Sequence, residues 1–307
     1  MLYDERHYLG GVIRFGVAGW DYQDWWGRVY PPSRPKGFDP LAYLARYFDT
    51  VEINSTFYRP ATARAATSWA KRVVHNRDFC FTAKLWQRFT HEREAAWTQD
   101  EAALTRAGLE PLAEAGKLGC VLVQFPWSFK RTAESREWLD DVLGAFAAFP
   151  LAVEVRHASW NVPEFYASLS ERGVGAVNID QPVFKHSIKP GARATAGVGY
   201  VRLHGRNYEN WFRDDAEPHE RYDYLYGRDE LEPWLERIHE VAERARDTYV
   251  ITNNHFNGQA AVNAAMLRKL YGHGDVEVPP ELMEGYRPVL APLGIRTPVP
   301  EAPRLDL

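Results

Sequence analysis

A chain of 307 residues, 45% apolar and 25% charged, has the make-up of a globular protein long enough to bury a sizeable core. Its net charge of −4 argues against a broad nucleic-acid or anionic-membrane footprint, while a local basic cleft is compatible with it. Cys80 and Cys120 lack metal or redox spacing, MLYDERHYLGG lacks the apolar run of a signal peptide, and no run reaches membrane-spanning length; a soluble cytoplasmic protein with no membrane partner is expected.

Strand-like and helix-like runs alternate along the chain. RFGVAGW (14–20) reads as the first strand, and a helix over 39–48 leads to TVEINST (50–56). A helix over 63–74 precedes FCFTAKL (79–85). Thr98 and Glu101 form a capping-box pattern that opens a helix over 99–115, followed by CVLVQFP (120–126). A helix over 133–147 leads to LAVEVRH (151–157). Asn161, Pro163 and Glu164 open a helix running to Gly173, and GAVNID (175–180) follows. Residues 181–197 carry only a Pro- and Gly-containing loop before VGYVRLH (198–204). A helix over 229–245 leads to TYVITNN (248–254), and a last helix covers 258–271.

Eight strands alternating with helices define an α/β protein and match a (β/α)8 TIM-like barrel. The barrel forms a single domain over 1–271, with a Pro-rich C-terminal extension over 272–307 that packs on it as irregular chain. An open doubly wound sheet is the competitor, but GVAGWDYQDW is a poor match to a Gly-rich phosphate turn.

Three strands carry polar groups at alternate positions: Glu52 and Asn54, Glu154 and Arg156, Arg202 and His204. With the odd positions facing a helical layer, these groups point into the barrel. An unpaired charge there costs roughly several kcal/mol, so they must meet one another or a ligand. Function in such barrels gathers at the carboxyl ends of the strands. Those ends supply His204, Glu154, Glu52 and Asp180 as candidate catalytic residues. They supply Trp20, Asn54, Lys84, Gln124, Arg156, Arg202, Arg206, Asn253, Asn254 and His255 as candidate substrate-binding residues.

The inward carboxylates Glu52, Glu154 and Asp180 balance the cations Lys84, Arg156 and Arg202. A divalent metal would favour an acidic excess, so the balance points to an anion site, with no metal and no cofactor expected. The set a metal would use is Glu154, Asp180, His204 and His255, and no tight ligand spacing supports it. RLHGR, with Gly205 permitting a tight turn, adds cationic anion contacts. The N-terminus of the last helix, near Gly258, offers backbone amides to a phosphate or carboxylate, or is simply capped by Asn257.

Aromatic residues crowd the same ends: Trp20, Tyr22, Trp25 and Trp26, then Phe57 and Tyr58, and later Tyr208 and Trp211. Their faces suit a base or a sugar ring. Trp25, Trp26 and the tyrosines of 222–226 read better as packing. Among His91, His157, His204 and His255, His204 is the first choice as general acid or base, placed near Asp180.

Together, GVAGWDYQDWWGRVYP, FDTVEINSTFYRP, FTAKLWQRFTH, LVQFPWSF, AVEVRHASW, VRLHGRN, YDYLYGRDEL and NNHFNGQAAVNA resemble the YecE-like family, also called domain of unknown function 72. The resemblance covers roughly residues 14–271. It implies a TIM-barrel-like fold and brings no established activity. The residues themselves predict an enzyme of hydrolase or lyase type. Its substrate would be a small anionic ligand bearing a phosphate or carboxylate and a base or sugar ring. The alternative is a barrel that binds or helps repair single-stranded or damaged nucleic acid, metal-dependent by fold analogy with apurinic endonucleases. Arg156 and Arg202 depart from the acidic, imidazole-rich centre of that analogy.

Overall fold

The computed structural model describes residues 11–211, 213 and 218–299. The apolar, β-branched runs form β1 (Val12–Ala18), β2 (Thr50–Ile53), β3 (Cys80–Lys84), β4 (Leu118–Gln124), β5 (Leu151–Glu154), β6 (Gly175–Asp180), β7 (Val198–Leu203) and β8 (Asp247–Thr252). Each strand runs parallel to its neighbours and β1 closes onto β8, giving a barrel in simple sequential order. The carboxyl ends fall short of the sequence pattern in places. After β2 the chain turns helical at Ser55–Tyr58, and β5 stops at Glu154, so Arg156 projects from a loop.

Among the described residues, side-chain caps start four of the surrounding helices. Asp39 accepts from the Leu41 and Ala42 amides at Pro40–Leu44, and Thr62 caps Ala63–Arg72. At Gln99–Glu114 the expected capping box is complete: Thr98 Oγ1 accepts from the Glu101 amide at 3.2 Å, and Glu101 Oε2 accepts from the Thr98 amide at 2.7 Å. Thr132 caps Ala133–Ala145. Pro163–Glu171 differs from expectation. Its cap is Val162, and Asn161 instead accepts a hydrogen bond from the Tyr166 hydroxyl at 3.0 Å. Arg228–Ala242 and Gln259–Leu270 complete the ring.

Outward strand residues such as Val51, Val123, Leu203 and Val250 share one core with the inner faces of the helices. A second, smaller cluster that includes Cys120, Leu122, Ala152, Tyr200, Tyr249 and Ile251 fills the barrel interior. Gly119 makes room for one of its rings, because a Cβ there would stand 2.1 Å from the Tyr249 hydroxyl.

Strand register decides which face of β6 looks inward. Val177 pairs with Tyr200 and Ile179 with Arg202, so these share the inner face, whereas Asn178 and Asp180 pair with Val201 and Leu203 and face outward. The inward placement of Asp180 expected from polarity is therefore reversed, and Asn178 faces outward with it. The cause is the connection after β6, which contains no helix. That loop covers part of the outer face and its backbone needs partners. Asn178 Nδ2 donates to the Arg193 carbonyl at 2.8 Å, and Asn178 Oδ1 accepts from the Arg193 amide at 2.6 Å.

The C-terminal segment is more regular than its prolines suggest. It forms a helix at Pro280–Leu290 and a short turn at Ala291–Leu293, burying Val278, Leu282, Leu290 and Ile295 in the outer core. The ends of the two expected segments, residues 1–10 and 300–307, lie outside the described residues. Among the described residues no helix is long and apolar enough to cross a membrane.

Candidate functional site

Arg202, on β7, reaches across the barrel to carboxylates on two other strands. Its Nε donates to Glu52 Oε2 at 2.8 Å and its Nη2 to Glu52 Oε1 at 2.5 Å, while Nη1 donates to Glu154 Oε2 at 2.9 Å. The three side chains are at most 2% exposed, so the charges sit in low dielectric with their partners in bidentate or shared geometry. Tyr200, two residues before Arg202 on the same face, donates its hydroxyl to Glu52 Oε2 at 2.7 Å and lies 2.9 Å from Thr82 Oγ1. Burial disfavours the Arg202 charge, but Glu52 and Glu154 reverse that and hold its pKa well above the ordinary value.

Arg156 and His204 complete this floor. Arg156 Nε donates to Glu154 Oε1 at 2.9 Å, and His204 Nε2 lies 3.3 Å from the same oxygen. Burial would raise the Glu154 carboxyl, but Arg202, His204 and Arg156 outweigh it and hold it well below the carboxylate range. His204 is fully buried. Burial pushes its pKa down, Glu154 opposes, and Arg156 and Arg202 add to the depression, leaving it at about 3. The imidazole is thus neutral near pH 7. Asn253 Nδ2 lies 3.1 Å from His204 Nδ1, an arrangement that fits a proton on Nε2 facing Glu154.

A cavity of about 280 Å³ opens above the floor. Among the described residues its cationic side chains are Lys84, Arg156 and Arg202, Asn54, Gln124 and Asn253 supply neutral polar groups, His255 supplies an imidazole, and no Asp or Glu lines it. Lys84 Nζ stands 3.7 Å from the centroid of the Phe57 ring. Desolvation, reinforced by Arg202, lowers its pKa to about 7 against the weaker pull of Glu52 and Glu154. Tyr22 stacks on His255 with centroids 4.4 Å apart and planes at 6°, and Tyr222 lies 5.2 Å from the same imidazole.

Of the sequence-predicted residues, Asn54, Lys84, Gln124, Arg156, Arg202, Asn253 and His255 meet at the cavity, with Glu52, Glu154 and His204 directly involved in its floor. Four others do not join them. Asp180 binds Arg206, from Nε at 2.9 Å and Nη2 at 2.6 Å, and accepts from Trp234 Nε1 at 2.6 Å on the outer helix. Arg206 is thereby held away, with Glu230 as a second partner at 3.2 Å. Asn254 donates to Asn263 Oδ1 and to the Tyr224 carbonyl in the helical layer. Trp20 follows Gly19, whose φ of +77° turns the chain, and packs on Trp69 and Phe81; it lines a neighbouring cavity of about 430 Å³.

At the N-terminus of Gln259–Leu270, where the sequence offered an anion site or an Asn257 cap, the cap is corrected. Gly258 is the cap residue rather than Asn257, and the Asn257 amide donates to Asp24 Oδ2 at 2.7 Å, so the chain's own carboxylate meets that turn. Trp25 and Trp26 are packing residues, as their pattern suggests. The three tyrosines of 222–226 divide: Tyr226 is buried and accepts from the Gly205 amide, Tyr224 donates to Glu230, and Tyr222 lines the cavity. Tyr200 is the residue that sequence reasoning missed; extending the Arg202–His204 alternation one step back would have found it. Among the described residues no three His, Cys, Asp or Glu side chains gather as metal donors, because Asp180 faces outward and His255 is stacked on Tyr22.

These features define a (β/α)8 barrel with a charge-paired floor and a small, cation-walled cavity at its carboxyl face. Residues 14–284 match the family described as "Protein of unknown function DUF72", and the chain belongs to that family, as its motifs indicate. It is 30% identical over 272 residues to the UPF0759 protein YunF of Bacillus subtilis, covering 84% of this chain and 94% of YunF. It is 27% identical over 196 residues to the UPF0759 protein YecE of Escherichia coli K12, covering 60% of this chain and 64% of YecE. The crystal structure of a DUF72 family protein from Thermotoga maritima is similar at a TM-score of 0.73 and 33% identity, over 85% of this chain and 99% of that one.

Proposed function

We propose that this protein is an enzyme of the lyase or hydrolase type, working in the cytoplasm, that binds a small ligand through a phosphate or carboxylate group. The observation that carries the reading is the cavity wall, which among the described residues presents three cationic side chains and no carboxylate. Glu52 and Glu154 are satisfied beneath it. With His204 neutral, their two negative charges balance Arg156 and Arg202, and Lys84 in its protonated form leaves one positive charge for a ligand to neutralise. The volume of about 280 Å³ lies near the lower end of the ~300–1,000 Å³ typical of ligand pockets, enough for one ring and an anionic group. The stacked Tyr22–His255 pair and Tyr222 offer that ring a flat wall. Proton transfer then belongs to Lys84, which titrates near neutrality and lines the cavity; His204, Glu154 and Glu52 act as positioning residues for the two arginines.

Calorimetric titration with ribose 5-phosphate, inorganic phosphate and a small dicarboxylate tests this. Arg156→Ala should weaken binding at least tenfold, in line with the ~1.5–3 kcal/mol of a charge-assisted hydrogen bond. No binding of any anionic probe, together with salt-sensitive binding of single-stranded or abasic oligonucleotides, would replace this reading with the nucleic-acid one.

A further inference from the structure

We propose that Lys84 is a nucleophile that condenses with the carbonyl group of an anionic aldehyde or keto acid, whose phosphate or carboxylate is held by Arg156 and Arg202. This inference rests on the anion-site reading above and narrows it to carbonyl substrates. Lys84 ends β3 on the inner face and lines the same cavity as both guanidinium groups, so an anion bound there brings its neighbouring carbon to the amine.

The surroundings of Lys84 favour a nucleophile over a fixed charge. Both carboxylates of the floor are bound to arginines, and among the described residues Lys84 forms no ion pair; its close contact is the face of Phe57. Losing a proton therefore breaks no salt bridge. Burial and Arg202 lower its titration to about 7, so a substantial share of the amine is free at pH 7, whereas an ordinary lysine near 10.4 offers less than ~0.1%.

The step balances without a redox partner. The Nζ lone pair forms a C–N bond to the carbonyl carbon, and the carbonyl π pair moves to oxygen, which takes up a proton. The carbinolamine then expels that oxygen as water with a second proton from nitrogen, leaving C=N. One water is released and nothing is oxidised. The iminium form of the product withdraws electrons for cleavage or deprotonation at the adjacent carbon.

The test traps the imine in the full-length protein. Glyoxylate and pyridoxal 5′-phosphate are added separately at pH 7, sodium borohydride reduces any imine to a stable amine, and peptide mapping locates the mass. The expected adduct sits on Lys84 at least tenfold above any other lysine, its labelling rises with a midpoint near pH 7, inorganic phosphate competes, and uncharged propionaldehyde labels Lys84 at least tenfold more slowly. Lys84→Arg should lose the adduct; the wild-type map decides the matter even where that variant folds poorly. Labelling of Lys84 no faster than of other lysines, with phosphate still bound, would overturn the nucleophile and leave the anion site standing. Selective labelling without phosphate competition would keep the nucleophile and overturn the anion site. Neither labelling nor phosphate binding would overturn both.

Discussion

His204→Gln removes a titrating group from the floor and exposes its contribution to stability directly. In the folded protein burial, offset in part by Glu154 and reinforced by Arg156 and Arg202, holds the imidazole at about 3, whereas in the unfolded chain it titrates near 6.5. The folded-state value is the lower one, so the associated stability is present above pH 6.5 and is lost as pH falls toward 3. Within that window the unfolded chain binds one more proton, and stability falls by about 1.4 kcal/mol per pH unit. Between pH 7 and pH 5 the loss from this residue alone integrates to about 2 kcal/mol. Glutamine keeps an amide within reach of Asn253 and Glu154 but does not titrate. His91, also held down to about 3, principally by burial, contributes equally to both proteins and cancels in the difference. Urea unfolding at pH 7, 6 and 5, followed by circular dichroism, should show the wild type losing about 2 kcal/mol more than His204→Gln over that range. Parallel pH dependences for the two proteins would refute a neutral, buried His204.

Arg202→Met should destabilise by about 3–5 kcal/mol in urea at pH 7, because among the described residues it leaves buried Glu52 with the Tyr200 hydroxyl as its one close side-chain partner, while Glu154 keeps Arg156. Asp180→Asn should cost about 1–3 kcal/mol of stability through its weakened contacts with Arg206 and Trp234, yet leave phosphate affinity within about twofold of wild type; a loss of affinity would return Asp180 to the binding site.

Much of the barrel was legible because strand and helix periods differ so plainly along the chain. Glu52, Glu154 and Arg202 were legible for a related reason: charges at alternate positions of buried strands must converge. The failures share one physical origin. Polarity alone does not fix which face of a strand looks inward, and β6 shows it, since Asn178 and Asp180 serve a loop backbone, an arginine and a tryptophan on the outside. Asn254 failed likewise, drawn outward to Asn263. Trp20 failed because the left-handed turn at Gly19 breaks the alternation one residue before it. The division of labour among the cations was not legible at all. That Arg202 is bound to both floor carboxylates while Lys84 forms no ion pair among the described residues depends on distances across the barrel, between strands remote in sequence.

The most direct measurement is a crystal structure of the protein grown with inorganic phosphate at a concentration that saturates binding in solution. The expected density lies in the cavity between β3, β5 and β7, with phosphate oxygens at hydrogen-bond distance, ~2.7–3.2 Å, from at least two of Lys84 Nζ and the guanidinium groups of Arg156 and Arg202. Phosphate bound elsewhere, with only water between those three side chains, would contradict the anion site.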